Sequence, residues 1–267
     1  MKIRAITGLF FVIVVLASML VSAYLFVVFF IALSASCLAE FYRIIATESA
    51  KPYRMSGVAL GLLISASYAG YCLDLVPARA LYLTIPTMGL VFIGALYSRR
   101  EKPFSDIAYT LLGLLYVVLP FTAFMALGFL DRAYDYRIPL GFMLILWGND
   151  TGAYLVGRYL GKHRLFERVS PRKTWEGLFG GILLALATAR VLAHYYPVLP
   201  SWQWLGIALT ISLFGTFGDL VESLLKRSHQ VKDSGALLPG HGGLLDRFDG
   251  LLLAAPAVLA FLKLVLP

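Results

Sequence analysis

Charge is scarce in this chain. Of its 267 residues only 14% are Asp, Glu, Lys or Arg, while 60% are apolar. Soluble domains carry about 25% charged and about 45–50% apolar residues, so a soluble globular protein is excluded. Cysteine is scarcer still. Cys37 and Cys72 both fall in apolar runs, which argues against a disulfide framework and against thiolate metal ligation. The sequence also lacks a G-x-x-x-x-G-K-[ST] loop and a strand-borne G-x-G-x-x-G, so no soluble-type nucleotide fold is implied. His163, His194 and His229 have no partner spacing that suggests zinc.

What is present is one apolar run after another, each near the roughly 20 residues a spanning helix needs. The pattern predicts an all-α polytopic integral membrane protein of about nine transmembrane helices, with a polar active-site cavity facing the cytoplasm. The spans are expected near 5–20, 22–38, 55–73, 80–98, 106–127, 138–157, 177–196, 202–221 and 249–266. The first run, Ala5–Ala39, is too long for one span and for the h-region of a cleaved signal peptide. It is expected to turn around Ser18–Ser22, with a broken first helix and eight spans as the alternative. Pro86, Pro120, Pro139 and Pro256 are tolerated because neighbouring helices re-satisfy the freed carbonyls. Small residues in "GVALG" (Gly57–Gly61) and "GLFGG" (Gly177–Gly181) have the spacing that lets helices approach closely. The whole reads as one integrated membrane domain, with N-terminal helices over 1–137 and a catalytic region over 138–267.

Of the 23 Lys and Arg residues, 18 lie at the N-terminus and after the second, fourth, sixth and eighth helices. Positive residues prefer the cytoplasm. The N-terminus is therefore expected inside, the C-terminus outside, and the polar loops 158–176 and 222–248 in the cytoplasm. The net charge of +8 is spread over these loops, which leaves a nucleic-acid partner without support.

Three polar clusters interrupt the apolar chain. In "WGNDTGAYLVGRYLGK" (Trp147–Lys162), Asp150 lies within the sixth run, roughly 12 Å along the helix from Arg158. A carboxylate at depth costs about 2.5–3.5 kcal/mol. Asp150 should face a polar cavity; the alternatives are a pair with Arg158 or the cap of a broken helix. In "SPRKTWEG" (Ser170–Gly177), Ser170 and Pro171 resemble an N-cap and first helical residue. Arg172, Lys173 and that helix N-terminus would then converge on an anion; a purely topological role is the alternative.

The third cluster is "GDLVESLLKRSHQVKDSGALLPGHGGLLDRFDG" (Gly218–Gly250). Asp219, Glu222, Ser223 and Lys226 have helical spacing that puts them on one face, and Asp246 and Asp249 share a side at the start of the ninth helix. Four carboxylates among Lys226, Arg227, Lys232 and Arg247 would repel unless a divalent cation and phosphate joined them. His241 in "PGHGG" suits either phosphate binding or loop structure.

The stretch Ser223–Asp249 resembles the signature of the phosphatidate cytidylyltransferase (CDP-diacylglycerol synthase) family. Ser223, Lys226, Arg227, Lys232, Asp233, Gly235, His241, Gly242, Gly243, Asp246, Arg247 and Asp249 all stand at that family's spacing. "NDTGAYLVGRYLGK" and "SPRKTWEG" are similar to its upstream motifs; the N-terminal half matches only as generic spans. The resemblance implies that CTP and phosphatidic acid give CDP-diacylglycerol and pyrophosphate, with Mg²⁺ required and a centre of two cations about 3.5–4 Å apart, the second being Mg²⁺ or a monovalent ion. Asp219 and Asp246 are expected as principal metal ligands, with Asp249 and Glu222 completing or orienting the shell. Lys226, Arg227 and Lys232 would hold the CTP phosphates; Asp150, Arg172 and Lys173 would bind nucleotide or lipid phosphate. Ser223, His241 and Arg247 join them as substrate contacts, and Asp233 either joins them or ties the loop to a neighbouring base. The family also implies a homodimer. With no organelle-targeting segment, the cytoplasmic (inner) membrane is the expected location. A CTP-using polyprenol or phytol kinase and an ion transporter are the rival readings. The complete signature disfavours the first, and the gathering of acids at one membrane side disfavours the second.

Overall fold

The computed structural model describes residues 2–47, 50–235 and 242–266, with side chains from residue 7 onward. Among the described residues, helices occupy all nine expected positions. They are α1 (Lys2–Val21), α2 (Ala23–Ile45), α3 (Arg54–Cys72), a 3₁₀ turn (Ala78–Leu83) leading into α4 (Thr84–Leu96), and a rod made of α5 (Pro103–Gly113), a π-helical turn (Leu114–Val118) and α6 (Leu119–Leu127). Then follow α7 (Arg137–Leu160), a hairpin of β1 (Arg164–Phe166) and β2 (Ser170–Thr174), α8 (Trp175–Tyr195), α9 (Ser201–Ser228) and α10 (Leu245–Val265).

Seven of these are long and apolar enough to cross a membrane: α2, α3, Ala78–Leu96, Pro103–Leu127, α8, α9 and α10. Large apolar side chains such as Leu90, Phe92, Ile93, Phe179 and Leu183 are exposed along them. Such belts are sustained in lipid, not in water, and the protein is a multi-pass membrane protein. α1 contributes a shorter apolar stretch, Thr7–Val21. The first run does break into two helices. Ser22 is extended, and its hydroxyl accepts from Leu25 N at 3.1 Å to cap α2.

Several helices outrun their apolar stretches. α2 continues to Ile45 and α9 to Ser228, beyond the expected ends at 38 and 221. Hydropathy senses the lipid, whereas helical hydrogen bonding continues wherever the residues allow it. The π turn has a local cause: Pro120 has no N–H to give Tyr116 and its ring would crowd that carbonyl, so the helix widens there.

The chain forms two compact units. One comprises Met1–Tyr134 and Asp233–Arg247, the other Asp135–Lys232 and Phe248–Pro267. In the first, fully buried Phe26, Phe30, Phe121 and Phe124 make an aromatic core, with Phe30 and Phe124 centroids 4.8 Å apart. Gly57 and Gly113 leave room for the Tyr42 ring, whose hydroxyl donates to Thr110 O at 2.7 Å. Buried Asp106 accepts from Lys51 N at 2.6 Å and pairs with Arg100 at 3.0 Å.

In the second unit, glycines set the helix spacing. A Cβ at Gly152 of α7 would fall 2.5 Å from Gly180 O of α8, and one at Gly181 would fall 2.8 Å from Asn149 Oδ1. The small residues of Gly177–Gly181 thus seat α8 against α7. The indole of buried Trp204 lies over Gly141 and donates to Tyr196 O at 3.1 Å.

Candidate active site

The hairpin corrects one expectation. Ser170 and Pro171 do not open a helix; they begin β2, which pairs antiparallel with β1, Arg164 opposite Thr174. The N-cap of α8 is Thr174, whose hydroxyl accepts from Gly177 N at 3.1 Å. Glu176 ties the start of β1 to the same end, accepting from Lys162 N and contacting His163 Nδ1 at 2.6 Å. A cap is chosen by which hydroxyl can reach the orphan amides, and strand pairing takes the backbone of Ser170 elsewhere.

This arrangement delivers Lys173 from the end of β2 to Asp219 on α9, Nζ to Oδ2 at 2.7 Å, and to Thr216 O at 3.3 Å. Ser223 donates to Asp219 Oδ1 at 3.3 Å, one turn on. Lys226 meets fully buried Glu222 at 2.5 Å. The expected single polar face of α9 is therefore present. Gly218 lets the backbone of α10 come close: a Cβ there would lie 2.5 Å from Asp249 O. The same crossing brings Asp249 within electrostatic reach of Asp219, Glu222 and Asp150, and Asp150 within reach of Lys173. Asp249 Oδ1 also accepts from Gly250 N at 2.6 Å.

Asp150 therefore belongs to this cluster and not to Arg158. That arginine donates to Tyr154 O–H at 2.7 Å, and α7 runs unbroken past both. Asp150 remains accessible although protein surrounds most of it. Arg172, Arg227 and Lys232 are exposed.

Asp246 lies in the other unit, in a second cluster. Its Oδ2 accepts from Ser234 N and from Gly243 N, both at 2.9 Å. Asp233 and Arg247 in this segment are exposed, and His241 lies outside the described residues. Sequence reasoning missed one member, Glu40 of α2. It is 2% exposed and accepts from Leu245 N at 2.9 Å and Ser234 Oγ at 3.1 Å. The available signal was an acid standing within "LSASCLAEFY", a helix otherwise rich in apolar and small residues.

Comparison with known proteins agrees with this chemistry. Residues 2–265 match the pattern of the Cytidylyltransferase family. A protein of Staphylococcus aureus (strain COL) named Phosphatidate cytidylyltransferase is 34% identical over 258 residues, 96% of each chain. One of the same name from Bacillus subtilis (strain 168) is 34% identical over 268 residues, 99% of this chain and 98% of its own. With a match that runs almost from end to end, and through both acidic clusters, the chain belongs to the cytidylyltransferase family.

Proposed function

We propose that this protein transfers the cytidylyl group of CTP to phosphatidic acid, giving CDP-diacylglycerol and pyrophosphate. The observation that carries the reading is the cluster in the second unit. Asp150, Asp219, Glu222 and Asp249 interact there, with Lys173 and Lys226 as cationic partners. Four carboxylates against two ammonium groups leave these residues a formal charge of −2, which a divalent cation matches. Mg²⁺ is held by carboxylate oxygens together with water and substrate phosphates.

We assign Asp219 and Asp246 as principal metal ligands, with Asp249 and Glu222 completing or orienting the shell, and a second cation belongs to the proposal. Bound Mg²⁺ would neutralise phosphate oxygens as charge develops on the transferred group. Lys226, Arg227 and Lys232 hold the triphosphate. Asp150, Arg172 and Lys173 bind nucleotide or lipid phosphate, and Ser223, His241 and Arg247 complete the contacts.

A lipid phosphate oxygen forms the new bond to the α-phosphorus while the bond to the β-phosphate oxygen breaks. Its electron pair leaves with pyrophosphate. The attacking phosphate is already anionic near neutral pH, so positioning and charge neutralisation carry the step without a strong base. The name of the bacterial relatives supports phosphatidate as the acceptor. The Lys and Arg distribution supports an active site on the cytoplasmic side of the inner membrane, with the N-terminus inside. A homodimer completes the proposal.

The test uses purified protein, phosphatidic acid, Mg²⁺ and CTP labelled separately on its α- and γ-phosphates. The α-label is expected in lipid and the γ-label in pyrophosphate. The γ-label in a lipid alcohol would show a kinase instead, and no transfer by folded protein would turn attention to transport.

A further inference from the structure

We propose that Glu40 is a positioning residue for the signature segment: from α2 it clamps Ser234 to the start of α10 and so aims the carboxylate of Asp246. This rests on the role given to Asp246 above.

The linkage is continuous within the first unit. Glu40 Oε2 receives Leu245 N at 2.9 Å and Ser234 Oγ at 3.1 Å. Ser234 Oγ in turn accepts from Asp246 N at 3.3 Å, while Ser234 N donates to Asp246 Oδ2 at 2.9 Å. Gly243 N is the other donor to that oxygen, also at 2.9 Å. Two backbone donors on Oδ2 fix the plane of the carboxylate, and with it the direction of Oδ1. Leu245 opens α10, so its N–H is one of the amides a helix cannot satisfy internally. Glu40 satisfies it from another helix, where the favourable end of the helix dipole meets a carboxyl group.

The glycines of the segment supply an independent argument. A Cβ at Gly235 would stand 2.6 Å from Glu40 Oε1, and one at Gly243 would stand 2.5 Å from Glu40 Oε2. Gly242 has φ +80°, and a Cβ there would meet Asp246 Oδ2 at 2.8 Å. Gly235 and Gly243 thus leave the space that Glu40 enters, and Gly242 the space that Asp246 needs. A side chain that only filled the helix interface would not require bare backbone at both Gly235 and Gly243.

The experiment measures Glu40→Met, which removes the acceptor, Ser234→Ala and the double variant in detergent micelles by two readouts. Amide exchange at Gly243 and Leu245, followed without substrate, is expected to accelerate about tenfold or more in Glu40→Met while exchange in α8 is unchanged. The kcat of cytidylyl transfer is expected to fall about 10–100-fold, the range for partners that orient a metal ligand, with the KM for phosphatidic acid unchanged. Ser234→Ala is expected to add little to Glu40→Met, because both break one linkage. Gly235→Ala should mimic the defect, and Glu40→Gln, whose amide oxygen still accepts, should largely avoid it. Wild-type exchange in Glu40→Met, or losses that multiply in the double variant, would overturn the proposal. If Glu40→Met does not fold, Ser234→Ala carries the same readouts. Should the wild type transfer no cytidylyl group, the functional reading falls, while the exchange data still judge the clamp.

Discussion

In the second unit Asp219 is met by the Lys173 ammonium at 2.7 Å and Glu222 by Lys226 at 2.5 Å. In the first, Asp246 is met by the peptide N–H groups of Ser234 and Gly243, and Glu40 by Leu245 N and a serine hydroxyl. Both are acidic clusters, yet they are neutralised by different means. An ammonium on a four-carbon stem is a movable counter-ion that can follow a phosphate or yield to a metal. A peptide N–H cannot move without the backbone, so it fixes direction instead of balancing charge. The first kind of cluster suits a place where charge arrives and leaves at each turnover. The second suits a place where one carboxylate must keep its aim.

The largest effect expected from this contrast is in Asp219→Asn. Removing one charge from the ammonium-paired cluster should lower kcat by about 10²–10³ or more, comparable to losing a principal electrostatic contact, with the melting temperature in detergent little changed. Steady-state turnover of labelled CTP checks it. An Asn variant that turns over normally would break the assignment of the second unit's cluster to charge handling.

Lys226→Ala should act on two properties at once. It leaves Glu222, fully buried, without its ammonium partner, and breaking a buried pair costs about 3–5 kcal/mol. The apparent affinity for CTP should also fall, more than that for lipid. Pairing Lys226→Met with Glu222→Gln separates the two: stability should return in the melting curve while the KM for CTP stays raised. Recovery of both would make the pair structural only.

The smallest effect sharpens the role of the helix crossing. Gly218→Ala puts a methyl 2.5 Å from Asp249 O, whereas the nearest atom to a methyl at Gly215 is the end of the Leu146 side chain at 3.1 Å. Overpacking of the first kind costs about 1–3 kcal/mol and displaces Asp249. Gly218→Ala should therefore lose turnover as well as stability, and Gly215→Ala little of either. Equal turnover in the two variants would detach Asp249 from the site.

Much of this was legible before any coordinates. The helical stretches, the break near Ser22 and the polar face from Asp219 to Lys226 follow from spacing and hydropathy. In lipid a backbone has few ways to satisfy its own polar groups, so apolar runs translate almost directly into helices. Side chains at helical spacing then share a face by geometry alone.

The remainder required contacts between residues far apart in the chain. Nothing in "SPRKTWEG" announces that β1 will claim Ser170 and leave the cap to Thr174. Nor does that stretch announce that Lys173 will reach Asp219, because the hairpin and the glycine-spaced packing of α8 set its place. Glu40 stands 194 positions before Ser234 and looks like one stray acid in a span until the folded chain joins them. Local pattern specifies which residues are helical and which way they face. Which carboxylate meets an ammonium and which meets a peptide N–H is decided by long-range packing, because only the folded backbone brings those donors within hydrogen-bond distance.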